Sequence, residues 1–281
     1  MLAIEKVNSR LRAAAAIVNQ LEPLEKIPGY WQVGVDLGTA DIQTIAVDGD
    51  GFPIAVLLDW ADVVRDGVVI DYAGACAIVR RQLQAMSRCL GVEIREVVTS
   101  FPPGTDSRIS TNVVEAAGVE IKNVIDEPSS VAALLNIRDG AVVDIGGGTT
   151  GTAIVRNGQI IASMDEPTGG RHISLSLAGH LNLELEKAEQ HKRACRDLSV
   201  TDIVRPVIQK MADVVRKHIS TFQVPAIYLS GGSCCLPGFR DVFAAEFPDQ
   251  EVVLPEQPLY LTPLAIASYA PGSTAALRVV G

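Results

Sequence analysis

One short grammar occurs twice in the chain and restricts its folds more than any other feature. Residues 141–155 begin with Ala141-Val142-Val143, an apolar strand that delivers Asp144 to its end. Ile145-Gly146-Gly147-Gly148-Thr149-Thr150-Gly151 then makes a polar turn, and Thr152 to Val155 lead away as a second β-branched strand. Residues 33–47 repeat the pattern as strand, Asp36, Leu37, Gly38, Thr39, strand, and the two aspartates lie 108 positions apart. Taken singly, each turn is open to two readings. It is a plain Gly-rich hairpin, or it is a cradle for a small anion. In the second case glycines let N–H groups turn inward, threonine hydroxyls donate, and the carboxylate holds a cation. Repetition favours the cradle, because the same turn made twice predicts two related domains facing one cleft. Neither turn matches the common nucleotide loops: no lysine closes it as in a Walker loop, and a strand rather than a helix follows.

Length and composition allow this. The 281 residues, 48% hydrophobic and 20% charged, are enough for two ordinary domains with full cores. With 24 basic and 33 acidic residues the formal charge is −9, and no Lys/Arg cluster is interleaved with aromatics, so nucleic acid is not an expected partner. The apolar run Ala13–Val18 is too short for a signal core or a membrane span, and a cytoplasmic location is expected. Cys76, Cys89, Cys195, Cys234 and Cys235 have no metal-ligand spacing, which suits a reducing compartment. The adjacent pair Cys234-Cys235 reads as small buried side chains in preference to a redox pair.

Along the chain, Ile4, Val7, Leu11, Ala14, Val18 and Leu21 recur at helical spacing before Pro23, Pro28 and Gly29 break the pattern. Residues 1–30 are therefore an amphipathic helix and tether, either packed on the chain's own domain or free to dock on a partner. Strands are expected at 31–36, 42–48, 54–58, 97–101, 121–125, 141–155 (as a hairpin), 159–163 and 225–230. Helices are expected at 74–90, 107–117, from 127, at 172–182 and 184–197, from 199 to about 221, at 238–247 and at 262–270. Ser199 and Asp202 read as the capping box of the longest of these. Glu127, beside Asp126 and Pro128 at a helix start, reads first as an ordinary cap.

The order of motifs resembles that of the actin-like ATPase superfamily, which includes actin, DnaK-type chaperones, the filament proteins MreB and FtsA, and sugar kinases. Gly34-Val35-Asp36-Leu37-Gly38-Thr39 is similar to its first phosphate loop and Asp144-Ile145-Gly146-Gly147-Gly148-Thr149 to its second. Asp126–Ala133 resembles the first connecting helix, Leu229–Phe239 the adenosine motif, and Thr262–Ala267 the closing connecting helix. Within the superfamily, Asp59–Gly67, Thr99–Thr105 and Gly231–Cys234 look most like the chaperone-like proteins of ethanolamine-utilisation operons.

The resemblance implies an α/β, two-domain actin-like (ribonuclease H-like) fold with mixed five-stranded sheets, flanking helices and a nucleotide cleft between domains. Domain I would span 31–137, completed by a C-terminal helix at 261–281, and domain II 138–260. ATP and Mg2+ are the implied cofactors. Asp36 and Asp144 would hold magnesium, largely through water. Gly38, Thr39, Ala40, Gly146, Gly147, Gly148 and Thr149 would grip the phosphates, with Glu127, Asp144 and Thr149 as the catalytic set. Gly169 and Gly170, Glu189 and Lys192, and Gly231, Gly232 and Ser233 would complete the nucleotide pocket. As a function, it implies a slow ATP-driven conformational switch of ethanolamine utilisation. Its partner would be ethanolamine ammonia-lyase or a microcompartment shell or cargo protein. An MreB/FtsA-like, self-associating filament or scaffold is the alternative, and a small-molecule kinase a third. Hydrolysis is expected to be slow at best. The chaperones place a lysine before the last strand of their first domain, and this chain has none between Asp36 and Phe101. Arg65 is the residue to check as a substitute.

Overall fold

The computed structural model describes residues 2–24, 29–65, 68–103 and 105–270. After a first helix, α1 (Leu2–Ile17), come β1 (Trp31–Leu37), β2 (Asp41–Asp48) and β3 (Pro53–Trp60). A small hairpin, β4 (Val64–Arg65) and β5 (Val68–Val69), precedes α2 (Tyr72–Leu90), β6 (Glu96–Phe101), α3 (Arg108–Glu115) and β7 (Glu120–Asp126). The second half starts with α4 (Glu127–Leu134), then β8 (Gly140–Ile145), β9 (Thr150–Arg156) and β10 (Gln159–Glu166). It continues through α5 (Gly170–Leu181), α6 (Leu185–Ala194), α7 (Ser199–Ile219), β11 (Ala226–Ser230), α8 (Phe239–Ala244), β12 (Glu251–Val253) and α9 (Leu261–Ala267).

The repeat seen in the sequence is a repeat of topology. The sheets run β3-β2-β1-β6-β7 and β10-β9-β8-β11-β12. In each, an antiparallel three-stranded meander is extended by two strands parallel to the first, and the duplicated turn is the first hairpin of each half. The two mixed five-stranded sheets implied by the resemblance are thus present.

Strand periodicity explains the layering. Val33, Val35 and Leu37 of β1 face a core shared with α2 and α3. In β8, Ala141, Val143 and Ile145 face a core shared with α5, α7 and α8. Successive side chains of a strand alternate faces, so Gly34 and Asp36, like Val142 and Asp144, turn the other way. That other side is a middle layer between the sheets, where Ile45, Val56 and Val142 meet α1, α4 and α9. One parity rule therefore aims both aspartates into the space between the sheets.

The middle layer is closely packed. At Gly34 a Cβ would stand 2.5 Å from the backbone nitrogen of Ala267, so only glycine lets α9 seat on β1. Val7, Leu11 and Ala14 bury the apolar stripe of α1 in this layer, which makes it a packed helix in preference to a free docking arm. Asn19 fastens the chain after it to β3: its backbone N–H donates to Val56 O at 2.8 Å and its side chain exchanges two 3.0 Å bonds with Leu58.

Some local readings change. Ser199 lies inside α7, not at its cap, and its N–H is taken by Asp197 Oδ1 at 2.8 Å, while Asp202 pairs with Arg205. Cys234 is buried, but Cys235 is exposed and faces the cleft. Residues 25–28 of the tether, the turn residues Asp66 and Gly67, the side chain of Arg65 and positions 271–281 lie outside the described residues.

Candidate functional site

Between the sheets lies a cavity of about 1050 Å3, at the upper end of the range for small-ligand sites. The loops that end β1 and β8 face each other across it. They nearly touch, since a Cβ on Gly147 would stand 2.6 Å from that of Ala40. Gly38, Thr39 and Ala40 line it from one side and Gly146, Gly147, Gly148 and Thr149 from the other.

The second loop is held from behind. The carbonyl of Gly146 accepts from the N–H of Gly170 at 2.9 Å and from Ser233 Oγ at 2.8 Å, and that of Gly147 from the N–H of Arg171 at 2.8 Å. In a trans peptide the next N–H points opposite to the carbonyl, so those of Gly147 and Gly148 turn towards the cavity. Among the described residues, no N–H of Gly38, Thr39, Ala40, Gly147, Gly148 or Thr149 donates to a protein acceptor. Unspent donors converging on a concavity are the requirement for holding an anion.

Gly169 and Gly170 belong to this support and do not line the cavity. A Cβ on Gly169 would fall 2.5 Å from Gly148 C, and one on Gly170 2.6 Å from Ser233 Oγ. Their smallness lets the start of α5 press against the loop.

Carboxylates gather beside the loops: Asp36, Asp41, Glu127, Asp144 and Asp165 all face the cavity. Burial, then the charges of Asp41 and Asp144, push the Asp36 carboxyl up to about 8. Burial pushes Asp41 up to about 6 against the Gln43 hydrogen bond that favours its charge. Glu127 is raised well above the ordinary range by burial and by Asp36, Asp144 and Asp165. Asp144 is raised by burial although Thr262 Oγ1 donates to it at 2.8 Å. Asp126 explains why Glu127 is available: its own Oδ1 accepts the Ser129 N–H at 3.0 Å and caps α4, leaving Glu127 to face the cleft.

Such a group of like charges is costly unless a cation joins it. The donor set is all oxygen, including Gln43 Oε1, which is buried with no partner. That chemistry suits a hard divalent ion. Among the described residues, no three His, Cys, Asp or Glu side chains stand close enough to ligate a metal directly. An ion held by this set would be held largely through its own waters, a mode that magnesium accepts.

Farther along the cavity, Glu189 accepts from Lys192 Nζ and Arg193 Nε, each at 2.8 Å, and from the Ser174 hydroxyl. Burial raises the Glu189 carboxyl, but Lys192, Ser174 and Arg193 outweigh it and leave it below the ordinary value. Lys192 Nζ also donates to Gly170 O at 3.1 Å, so this group and the second loop share a frame. Gly231 and Gly232 line the cavity next to Ser233. At Gly231, φ is +94° and a Cβ would lie 2.5 Å from Asp144 Oδ1.

Sequence reasoning missed Asp41, Asp165, Trp60 and Arg193, all of which line the cavity. Asp41 follows the first loop directly, a signal that was available. Asp165 had none. Counting from the Asn157-Gly158 turn sets it opposite Thr150, whereas a bulge at Ile160/Ala162 moves it opposite Gly151.

Comparison with known proteins agrees with this geometry. The model of the FtsA family, described as cell division protein FtsA, matches residues 141–269. Ethanolamine utilization protein EutJ of Escherichia coli (strain K12) is 51% identical over 259 residues, covering 92% of each chain. The crystal structure of ethanolamine utilization protein EutJ from Carboxydothermus hydrogenoformans superposes with a TM-score of 0.88 at 42% identity, covering 94% of this chain and 98% of that one. MreB 5 of Spiroplasma citri, solved bound to AMPPNP, gives a TM-score of 0.66 at 17% identity over 86% of this chain and 95% of its own, a likeness of fold. On sequence and structure together, the chain belongs to the EutJ family, with the fold of the actin-like ATPases.

Proposed function

We propose that the chain binds ATP with Mg2+ between its two sheets and acts as a slow, nucleotide-driven conformational switch in ethanolamine utilisation. It would work, chaperone-like, on a catabolic enzyme such as ethanolamine ammonia-lyase or on a microcompartment shell or cargo protein. The observation that carries this reading is the pair of facing loops, with unspent N–H donors beside mutually repelling carboxylates. The names of the relatives support the pathway, and a fold neighbour solved with AMPPNP supports the ligand class.

In this reading Asp36 and Asp144 hold the water shell of the metal, and the donors of residues 38–40 and 147–149 hold the phosphates. Glu127 orients a water near the terminal phosphate, while Glu189, Lys192, Gly231, Gly232 and Ser233 receive ribose and base. Magnesium, when bound, supplies the positive charge that phosphoryl transfer needs. Domain I would comprise 31–137 with the helix from 261, and domain II 138–260. The reading locates the protein in the cytoplasm, in association with a microcompartment; among the described residues no helix is long and apolar enough to cross a membrane.

Isothermal titration of MgATP into the protein and into Asp144→Asn tests the site. The variant is expected to bind on the order of tenfold more weakly, about 1.4 kcal/mol, with the loss confined to the magnesium-dependent part. Equal binding, or none by the wild type, overturns the site. Failure to co-purify with any ethanolamine enzyme or shell protein overturns the partner. A second reading, an ATP-dependent filament or scaffold, draws on the FtsA match over 141–269. Sedimentation that depends on ATP would favour it over the first.

A further inference from the structure

We propose that Trp60 and Arg193 form a clasp across the rim of the cleft, which must part before a nucleotide enters or leaves. The proposal rests on the nucleotide reading above. Trp60 ends β3 in the first half, and the residue is 46% exposed although it is large and apolar. The guanidinium carbon of Arg193, on α6 in the second half, lies 3.7 Å from the centre of that ring. This is the stacked arrangement in which the cation meets the negative face of the indole.

Each partner is anchored in the machinery of its own half. Trp60 pairs with Asp41 in the β2–β3 ladder, and the next residue, Ala61, donates its N–H to Ala40 O at 3.1 Å. The tryptophan is therefore tied to the first loop. Arg193 is held by Glu189, whose second oxygen takes Lys192, which reaches Gly170 behind the second loop. The clasp thus joins the two loop supports directly.

Core packing does not account for this contact. A half-exposed tryptophan at a strand end gains little by burial, and Arg193 already has a carboxylate partner without it. What the stack adds is a reversible link between the two halves that face the cavity. Stacking worth about 0.5 to 2 kcal/mol corresponds to roughly two- to thirty-fold in rate if it must break first.

The test uses the full chain, a ribose-labelled fluorescent ATP analogue with Mg2+, and stopped flow. Trp60→Leu is expected to speed both association and release of the probe by roughly two- to thirty-fold. Trp60→Phe, which keeps an aromatic face, should fall between. In a Trp31→Phe background Trp60 is the only tryptophan, and its acrylamide quenching should be low with and without MgATP, because the clasp closes again behind the bound nucleotide. Adding Arg193→Leu should raise it without nucleotide. Unchanged rates in Trp60→Leu, or quenching indifferent to Arg193→Leu, overturn the clasp. If the wild type does not bind the probe, the nucleotide reading and the gating role fail together, while the quenching result still scores the contact itself.

Discussion

The carboxylate group at the first loop makes a sharp prediction about pH. Asp36 in the folded chain holds its proton up to about pH 8, against an ordinary value of 3.8. A folded value above the unfolded one means that the folded state binds more protons, so this contribution to stability is complete below about pH 4 and is lost as pH rises towards 8. From pH 5 to pH 8 the loss is at most about 4 kcal/mol, at about 1.36 kcal/mol per unit. Replacing Asp36 by Asn removes the titration while keeping shape and the Ser100 contact at 3.4 Å. For a chain of this size about 2 °C of Tm accompanies each kcal/mol. Scanning calorimetry in EDTA should therefore show Asp36→Asn overtaking the wild type as pH rises, with a gap at pH 8 about 4–8 °C wider than at pH 5. Excess Mg2+ should close the gap by stabilising the wild type, because the cation replaces the proton. A gap that does not change with pH would refute the reasoning, since the aspartate would then not be held protonated by its burial and its neighbours.

Three further outcomes follow from the packing and the cleft. Gly34→Ala forces a methyl into the backbone of α9; a loss of about 1–3 kcal/mol should appear as a lower Tm together with weaker nucleotide binding, and an unchanged protein would mean that the seam is soft. Leu11→Ala, at a position with no exposure, should cost about 2–5 kcal/mol, whereas a helix free to act as a docking arm would melt without effect on the rest. Hydrolysis of MgATP, followed by phosphate release, should stay well under the enzyme median of about 10 per second, given no lysine between Asp36 and Phe101; turnover at that rate would show another group in its place.

The parts of the fold legible in the sequence were those set by local rules. Alternating β-branched runs and the Gly-Thr turns gave β1 to β3 and β8 to β10, and the Asp126-Glu127-Pro128 start gave α4. β12, with three residues, was too short to carry a period and was missed. In the site, Asp36, Asp144 and the loop glycines were visible because strand parity and turn chemistry act over a few residues. Gly169 and Gly170 were visible as a loop, but their close approach to Gly148 and Ser233 was not, because it is a tertiary fact. Asp165 was hidden by a bulge, and Trp60 with Arg193 by a separation of 133 positions that only the closed cleft removes. The role of α1 stayed undecided for a similar reason, because an apolar stripe reads alike whether it covers its own domain or another.

Helix α9 carries a consequence out of proportion to its seven residues. At one end Thr262 is bonded to Asp144; at the other Ala267 rests on Gly34, two residues before Asp36. Five helical steps separate these ends, roughly 7.5 Å of rigid rod. The two acidic jaws are therefore gauged against each other by a single spacer. One cannot be displaced along its strand without the rod passing the shift to its counterpart.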